Sequence, residues 1–339
     1  MVYRSTHFFW LGLILLGIVS LIYIFSFGLN DHSPSLPKIP GKVKIAAYAG
    51  ETTSLIWLSK ELGFLEQAGL DVELKPFAAG IFAVNALTNN EADIAVAAEF
   101  VLANKSFSEP ELRILSSIVS AKTIFVVGHK SRNIESPSDL KGKRIGVTLG
   151  SNAEFFLGQF LTLYGLQFND INIVDLKPPQ LVKSMLDGSI DAAITWHPNV
   201  YVIEQQLGEK VIKFDAQKMQ DYFFVLLAKS GWLQSHPTHT ERLMQALIWT
   251  EDWIKKHPDE TKKTIEKIFK GDPKYIAMMV DLHSYQVKFS QNLMVALDAQ
   301  KRWLIKNKGF DAAQQPNLLN FIYPSALKKI KPSAVTVIK

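Results

Sequence analysis

From residue 42 onward, short runs of Val, Ile and Ala alternate with longer stretches in which apolar residues recur every three to four positions. That alternation predicts an α/β protein with a mostly parallel sheet. Strands are expected at 43–48, 72–76, 94–97, 112–118 and 124–128, with helices at 53–67 and 80–89 between the first three. A second series starts at Arg144, with strands at 145–148, 171–175 and 192–195 and helices at 152–164 and 179–187. Both series run strand, glycine-containing turn, helix, strand, helix, then a short strand after an aspartate, in Ala92-Asp93-Ile94 and Ile190-Asp191-Ala192. The match reads as a structural duplication. After a strand at 222–227 the pattern turns helical, at 239–256, 259–269 and 293–307. Ligands of open parallel sheets sit beyond the carboxyl ends of the strands. The loops after Tyr48, Pro76, Ala97, Thr148 and Thr195 should therefore carry function.

The first thirty residues follow another pattern. Phe8 to Phe27 carries no charge, and at 1.5 Å per residue it spans about 30 Å, the thickness of a bilayer core. Arg4 precedes the run and Asp31 follows it, which puts the N-terminus in the cytoplasm and the rest outside. The run is longer than the apolar region of a cleaved signal, about 7–15 residues, and it ends without an A-x-A pattern. The expectation is an uncleaved transmembrane anchor within 1–29; cleavage and release to the periplasm is the alternative. Residues 30–41, with Pro34, Pro37 and Pro40, read as a semi-rigid spacer.

Composition narrows the classes. Of 339 residues, 47% are hydrophobic and 20% charged, a globular balance. Roughly 300 residues beyond the spacer suit two domains. The formal charge is only +5 with the basic residues dispersed, so nucleic acid is not an expected partner. Cysteine is absent, which excludes disulfides, thiolate metal sites, a Cys nucleophile and a lipobox anchor. The eight histidines form no pair at metal-ligand spacing on one helix face. H-E-x-x-H, G-x-S-x-G and P-loop patterns are missing. Ser138 and Lys141 meet S-x-x-K only inside an Asp-Leu-Lys-Gly-Lys turn. No catalytic residue, metal or cofactor is expected.

Ala46-Ala47-Tyr48-Ala49-Gly50-Glu51, Leu62-Gly63-Phe64-Leu65-Glu66-Gln67-Ala68-Gly69-Leu70-Asp71 and Asn90-Glu91-Ala92-Asp93-Ile94 come in a telling order. Asp139-Leu140-Lys141-Gly142-Lys143-Arg144-Ile145-Gly146, Gly150-Ser151, Leu186-Asp187-Gly188-Ser189-Ile190-Asp191 and Trp196-His197-Pro198 follow. Together they resemble the solute-binding proteins of the nitrate, sulfonate, taurine and thiamine-precursor importers. The resemblance covers about residues 42–339. It implies a two-lobed type II periplasmic-binding-protein fold, with 42–122 plus 218–339 in the first lobe and 123–217 in the second. It further implies a monomer outside the cytoplasm that binds a small-molecule ligand and docks on an ABC permease. Within the fold, one relative is an enzyme making the thiamine pyrimidine, but its Cys-rich motif has no counterpart here. A membrane-tethered sensory module is a third reading.

The implied ligand contacts follow from these loops. Gly150, Ser151 and Asn152 start a helix whose free N–H groups favour anions, unless Ser151 or Asn152 is only a cap. Thr52 and Thr53 hold the matching place in the first lobe. Trp196 could stack on a planar or cationic ligand; His197, Phe100 and Tyr222 are candidate wall residues. Gly80 resembles the family's Ser-Gly loop, yet Ala79 replaces the serine and removes the usual oxyanion contact. Glu51 and Glu99 should face the cleft from strand ends. Two carboxylates there would repel an oxyanion, so the ligand is expected to be nitrogenous, unless Glu99 is satisfied internally by a cation or backbone N–H. Crossings near Ala121-Lys122 and 217–222 should act as the hinge.

Overall fold

Two separate sheets organise the chain. The computed structural model describes residues 35–218 and 220–338. The first sheet is six-stranded: β1 (Lys42–Tyr48), β2 (Asp71–Phe77), β3 (Ile94–Ala98), β4 (Leu112–Ala121), β10 (Tyr222–Lys229) and β11 (His283–Lys288), in the order β11-β4-β10-β3-β1-β2. The second is five-stranded: β5 (Ile124–His129), β6 (Arg144–Val147), β7 (Asn172–Asp175), β8 (Ala192–Trp196) and β9 (Val211–Asp215), in the order β7-β6-β8-β5-β9. The chain crosses between sheets after β4 and again after β9.

The sheets are less parallel than the sequence pattern implies. β1 pairs in parallel with β2 and β3, and β6 with β7 and β8. All pairings of β4, β5, β9, β10 and β11 are antiparallel. Periodicity reports whether a strand is buried, not which way its partner runs. The expected helix over 53–67 is broken: a 3₁₀ turn at Glu51–Thr53 leads into helix Ser54–Glu61, and Gly63, at φ 76, separates that from Phe64–Gln67. Helices Glu99–Lys105, Asn199–Leu207 and Pro273–Leu282, with strands β9 and β11, lie where no element is expected.

The duplication is visible in contacts. In the first sheet the Lys44 N–H donates to the Asp93 carboxylate (2.8 Å) and the Asp93 N–H to the Lys44 carbonyl (2.9 Å). In the second, Arg144 and Asp191 repeat both bonds at 2.9 Å. Each aspartate thus fixes the start of one strand against its neighbour. Asp191 also ion-pairs with the Arg144 guanidinium (2.7 Å), which holds its carboxyl below the usual range.

One continuous apolar cluster runs through both sheets. Phe100 contacts Phe155 at 5.6 Å between ring centres and Trp303 at 5.8 Å, joining helix Glu99–Lys105, helix Asn152–Leu163 and helix Gln291–Lys308. The anchor expected over 8–27 lies outside the described residues. Among those described, no helix is long and apolar enough to cross a membrane.

Candidate functional site

Between the two sheets lies a cavity of about 20 Å³, room for roughly one water. Tyr48, at the carboxyl end of β1, forms part of its wall. Ala79, Gly80, Ile81, Ala98 and Val101 line it from the first sheet, with Tyr222 and Phe224 of β10; Ser151, Asn152 and Trp196 line it from the second. The Trp196 indole N–H donates to the Tyr48 hydroxyl (3.1 Å), which in turn donates to the His197 carbonyl (3.4 Å). The two rings meet edge to face at 6.3 Å. This short chain of bonds spans the cleft.

Two glycines make the geometry possible. A Cβ at Gly50 would come within 2.3 Å of the Tyr48 ring, so only glycine lets the ring fold back there. A Cβ at Gly80 would stand 2.8 Å from that of Ala97, so its absence lets helix Gly80–Thr88 start against β3.

The expected site residues divide. Gly80, Ser151, Asn152, Trp196 and Tyr222 line the cavity. Gly150, with φ 74, adjoins it. Its N–H is taken by the Glu154 carboxylate at 2.7 Å, and Lys308 pairs with the other Glu154 oxygen at 2.5 Å. The anion-favouring loop therefore already holds an anion from its own helix. Ser151 caps that helix, accepting from the Ala153 N–H (3.3 Å) and donating to the Thr148 carbonyl (2.6 Å). Thr53 is turned inward, its hydroxyl donating to the Tyr48 carbonyl (2.6 Å). Thr52 is buried and sits against the Tyr222 hydroxyl.

The two glutamates part company. Glu99 does not face the cleft. The chain turns into a helix right after β3, and the carboxylate accepts from the Phe223 N–H (2.9 Å) and the Gln300 amide (2.8 Å) in the core. Burial pushes it up to about 7. Glu51 is 4% exposed, and its Oε2 has no partner. Burial raises its carboxyl too, partly offset by its own backbone N–H and by the nearby Tyr275 hydroxyl. Phe100 packs in the aromatic cluster rather than on the cavity. His197 is buried beside Phe125 and Tyr275, and burial pushes it down to about 4, so it is neutral.

The sequence reading missed Tyr48, Ile81, Ala98, Val101 and Phe224 as wall residues. Tyr48 had a signal, since it is the aromatic end of a strand; Phe224 shares a strand face with Tyr222. It also passed over the Gln217 side chain. Gln217 is fully buried where the two crossings meet. Its Oε1 accepts from the N–H groups of Thr123 (2.6 Å) and Ile124 (2.8 Å), and its amide donates to the carbonyls of Ala121 (3.2 Å) and Gln220 (3.4 Å). The Thr123 hydroxyl bonds that of Tyr222 at 2.8 Å.

Comparison with known proteins fits this arrangement. The chain is 26% identical over 239 residues to a provisionally assigned binding protein of Brucella abortus (strain 2308), covering 69% of this chain and 71% of the relative. It is 29% identical over 144 residues to the taurine-binding periplasmic protein of Escherichia coli (strain K12), 42% of this chain and 44% of that one. The fold matches the alkanesulfonate-binding protein SsuA from Xanthomonas axonopodis pv. citri bound to MOPS, with a TM-score of 0.74 and 18% identity over 84% of this chain and 99% of SsuA. The desulfurization enzyme DszB is a more distant structural neighbour, with a TM-score of 0.61, 16% identity and coverage of 84% of this chain and 98% of that one. The model described as NMT1/THI5 like matches residues 52–261, and the chain belongs to that family.

Proposed function

We propose that this protein is the solute-capturing component of an ABC-type importer, closing its two lobes on a small organic, nitrogen-containing molecule. The observation that carries this reading is the cavity walled by both sheets and bridged from Trp196 to Tyr48. A cavity for one water does not admit an organic solute, so entry requires the lobes, 42–122 with 218–339 and 123–217, to part about the crossings at Gln217. Ligand contacts on both lobes then favour the closed form by differential affinity.

Relatives named for taurine and alkanesulfonates suggest an oxyanion, but three features of this cleft favour nitrogen. The Gly150 N–H is already paired with Glu154. Ala79 stands where the family's serine would offer a hydroxyl. Glu51 keeps a buried oxygen without a donor, and an anion near it would be repelled. Aromatic walls from Tyr48, Trp196, Tyr222 and Phe224 suit a flat ligand.

In this reading, residues 8–27 anchor a monomeric clamp on the outer face of the inner membrane, where it docks on a permease. N-terminal sequencing tests the anchor; a mature start near residue 28 rejects it. Native mass spectrometry of the protein from its own host, followed by small-angle scattering with the co-purified molecule, tests the clamp. Compaction on adding that molecule is expected, and an unchanged radius of gyration with bound ligand would count against closure.

A further inference from the structure

Beside the cleft, unpartnered buried polar atoms gather in one place. Among the described residues, eight buried side-chain N or O atoms lack a hydrogen-bond partner, and four belong to Glu51 (Oε2), His197 (Nδ1), Tyr275 (OH) and His283 (Nε2). These residues are 4%, 4%, 3% and 8% exposed. They come from four elements: the turn after β1, the end of β8, helix Pro273–Leu282 and β11. Yet they converge. Helix Pro273–Leu282 packs on the Glu51–Thr53 turn. The Tyr275 and His197 rings are 5.8 Å apart. His283 stacks at 5.7 Å on Tyr285, whose hydroxyl donates to the Glu51 carbonyl at 3.3 Å. The Tyr275 hydroxyl is close enough to favour the charged Glu51 carboxylate, yet no bond of ordinary geometry joins them.

Folded proteins pair the great majority of such atoms, because an unpaired buried one carries its full desolvation cost. Four together call for an occupant. The donor and acceptor inventory says which kind. His283 Nδ1 bonds the Met279 carbonyl, so it carries the proton and leaves Nε2 as a bare acceptor. Glu51 Oε2 is also an acceptor when the carboxyl is ionised, a form that burial disfavours, and a tyrosine hydroxyl can accept or donate. Burial keeps both imidazoles neutral, each pushed down to about 4. With Glu51 ionised, only the Tyr275 hydroxyl and, in one tautomer, His197 Nδ1 can donate, so acceptors prevail; among the described residues no three His, Asp or Glu side chains stand close enough to hold a metal.

We propose that Glu51, His197, Tyr275 and His283 form a polar annex to the cleft that receives a cationic N–H donor group of the solute, an amidinium or ammonium. The proposal rests on the solute-capture reading and specifies the charge of what is captured. The Tyr48 hydroxyl bonds the His197 carbonyl, so cavity and annex share a wall. The flat body of the solute would lie against Tyr48 and Trp196 with its head in the annex. His197 belongs to the second lobe and the other three to the first, so occupancy would tie the lobes together.

The test uses two probes with the same ring and opposite heads, benzamidine and benzenesulfonate, on the full chain in detergent, read by calorimetry and thermal unfolding. Benzamidine should bind and raise the melting temperature, and benzenesulfonate should not. Tyr275→Phe removes a hydroxyl that neighbours the Glu51 carboxylate without a bond of ordinary geometry, so the free variant should melt close to the wild-type temperature. Its benzamidine affinity should nevertheless drop about tenfold. Glu51→Gln, nearly isosteric, should weaken benzamidine at least as much. The proposal is overturned if millimolar benzamidine leaves wild type unchanged, or if both variants bind it as wild type does; the latter would mean that the annex holds only water. Benzenesulfonate binding without benzamidine binding would overturn the annex and leave solute capture standing. Failure of the scattering test would remove the clamp itself.

Discussion

The Trp196 indole N–H donates to the Tyr48 hydroxyl at 3.1 Å, and these two residues sit 148 positions apart on different sheets. Each ends a strand, and their bond bridges the two sheets at the cavity. Removing it should favour the open clamp. Tyr48→Phe deletes two hydrogen bonds worth about 1 kcal/mol each when neutral, together roughly a thirtyfold shift in the equilibrium between closed and open forms. A larger radius of gyration by small-angle scattering is the expected result. Gly50→Ala should act similarly, since its new methyl would displace the Tyr48 ring.

Gln217 staples both crossings through four hydrogen bonds. Gln217→Ala strands the buried N–H groups of Thr123 and Ile124, so stability should fall by about 2–4 kcal/mol. Denaturant unfolding measures this. Gln217→Glu should recover the bonds to the two N–H groups but lose the donors, giving an intermediate loss. Equal losses for both substitutions would show that the acceptor bonds contribute little.

Glu99 ionises at about 7 when folded against an ordinary 4.5. Below the ordinary value both states are protonated, and the carboxyl costs nothing extra. As the pH rises toward 7 the unfolded chain loses its proton first, so stability falls across that window, by about 3 kcal/mol in total. Glu99→Gln should remove this slope. The new amide can donate to Gln300 Oε1, which lacks a partner, once the Gln300 amide flips. Urea unfolding of both proteins from pH 5 to pH 8 gives the difference directly; parallel pH profiles would contradict the burial argument.

Glu154 occupies the Gly150 N–H and pairs with Lys308. Glu154→Gln should vacate the negative charge at the start of helix Asn152–Leu163 and leave a lysine uncompensated nearby. The variant should gain at least severalfold affinity for an alkanesulfonate by calorimetry, because a helix N-terminus favours an anion. If the variant still ignores sulfonates, Glu154 does not set the charge preference.

Much of the fold was legible because it is local. Asp93 and Asp191 bond strands that lie fewer than fifty residues back, and the strand–helix rhythm around them follows from side-chain periodicity. Tyr48 at its strand end and the segments after Pro76, Ala97, Thr148 and Thr195 do meet at one cavity, as strand-end positions should. Helix Glu99–Lys105 was missed because nothing in its composition separates a buried strand from the helix that continues it.

By itself, the sequence determined an α/β chain with two repeated strand–helix series, a cysteine-free chemistry and a set of strand-end loops from which a site could be built. Tertiary structure decided which of those loop residues line the cavity between the sheets. Glu99 is withdrawn by the Phe223 N–H and Gln300, 124 and 201 positions away. Glu51 is left with a free oxygen, in an annex completed by Tyr275 and His283 from the distant C-terminal part. A carboxylate's direction depends on which distant donors reach it, and no local pattern encodes that.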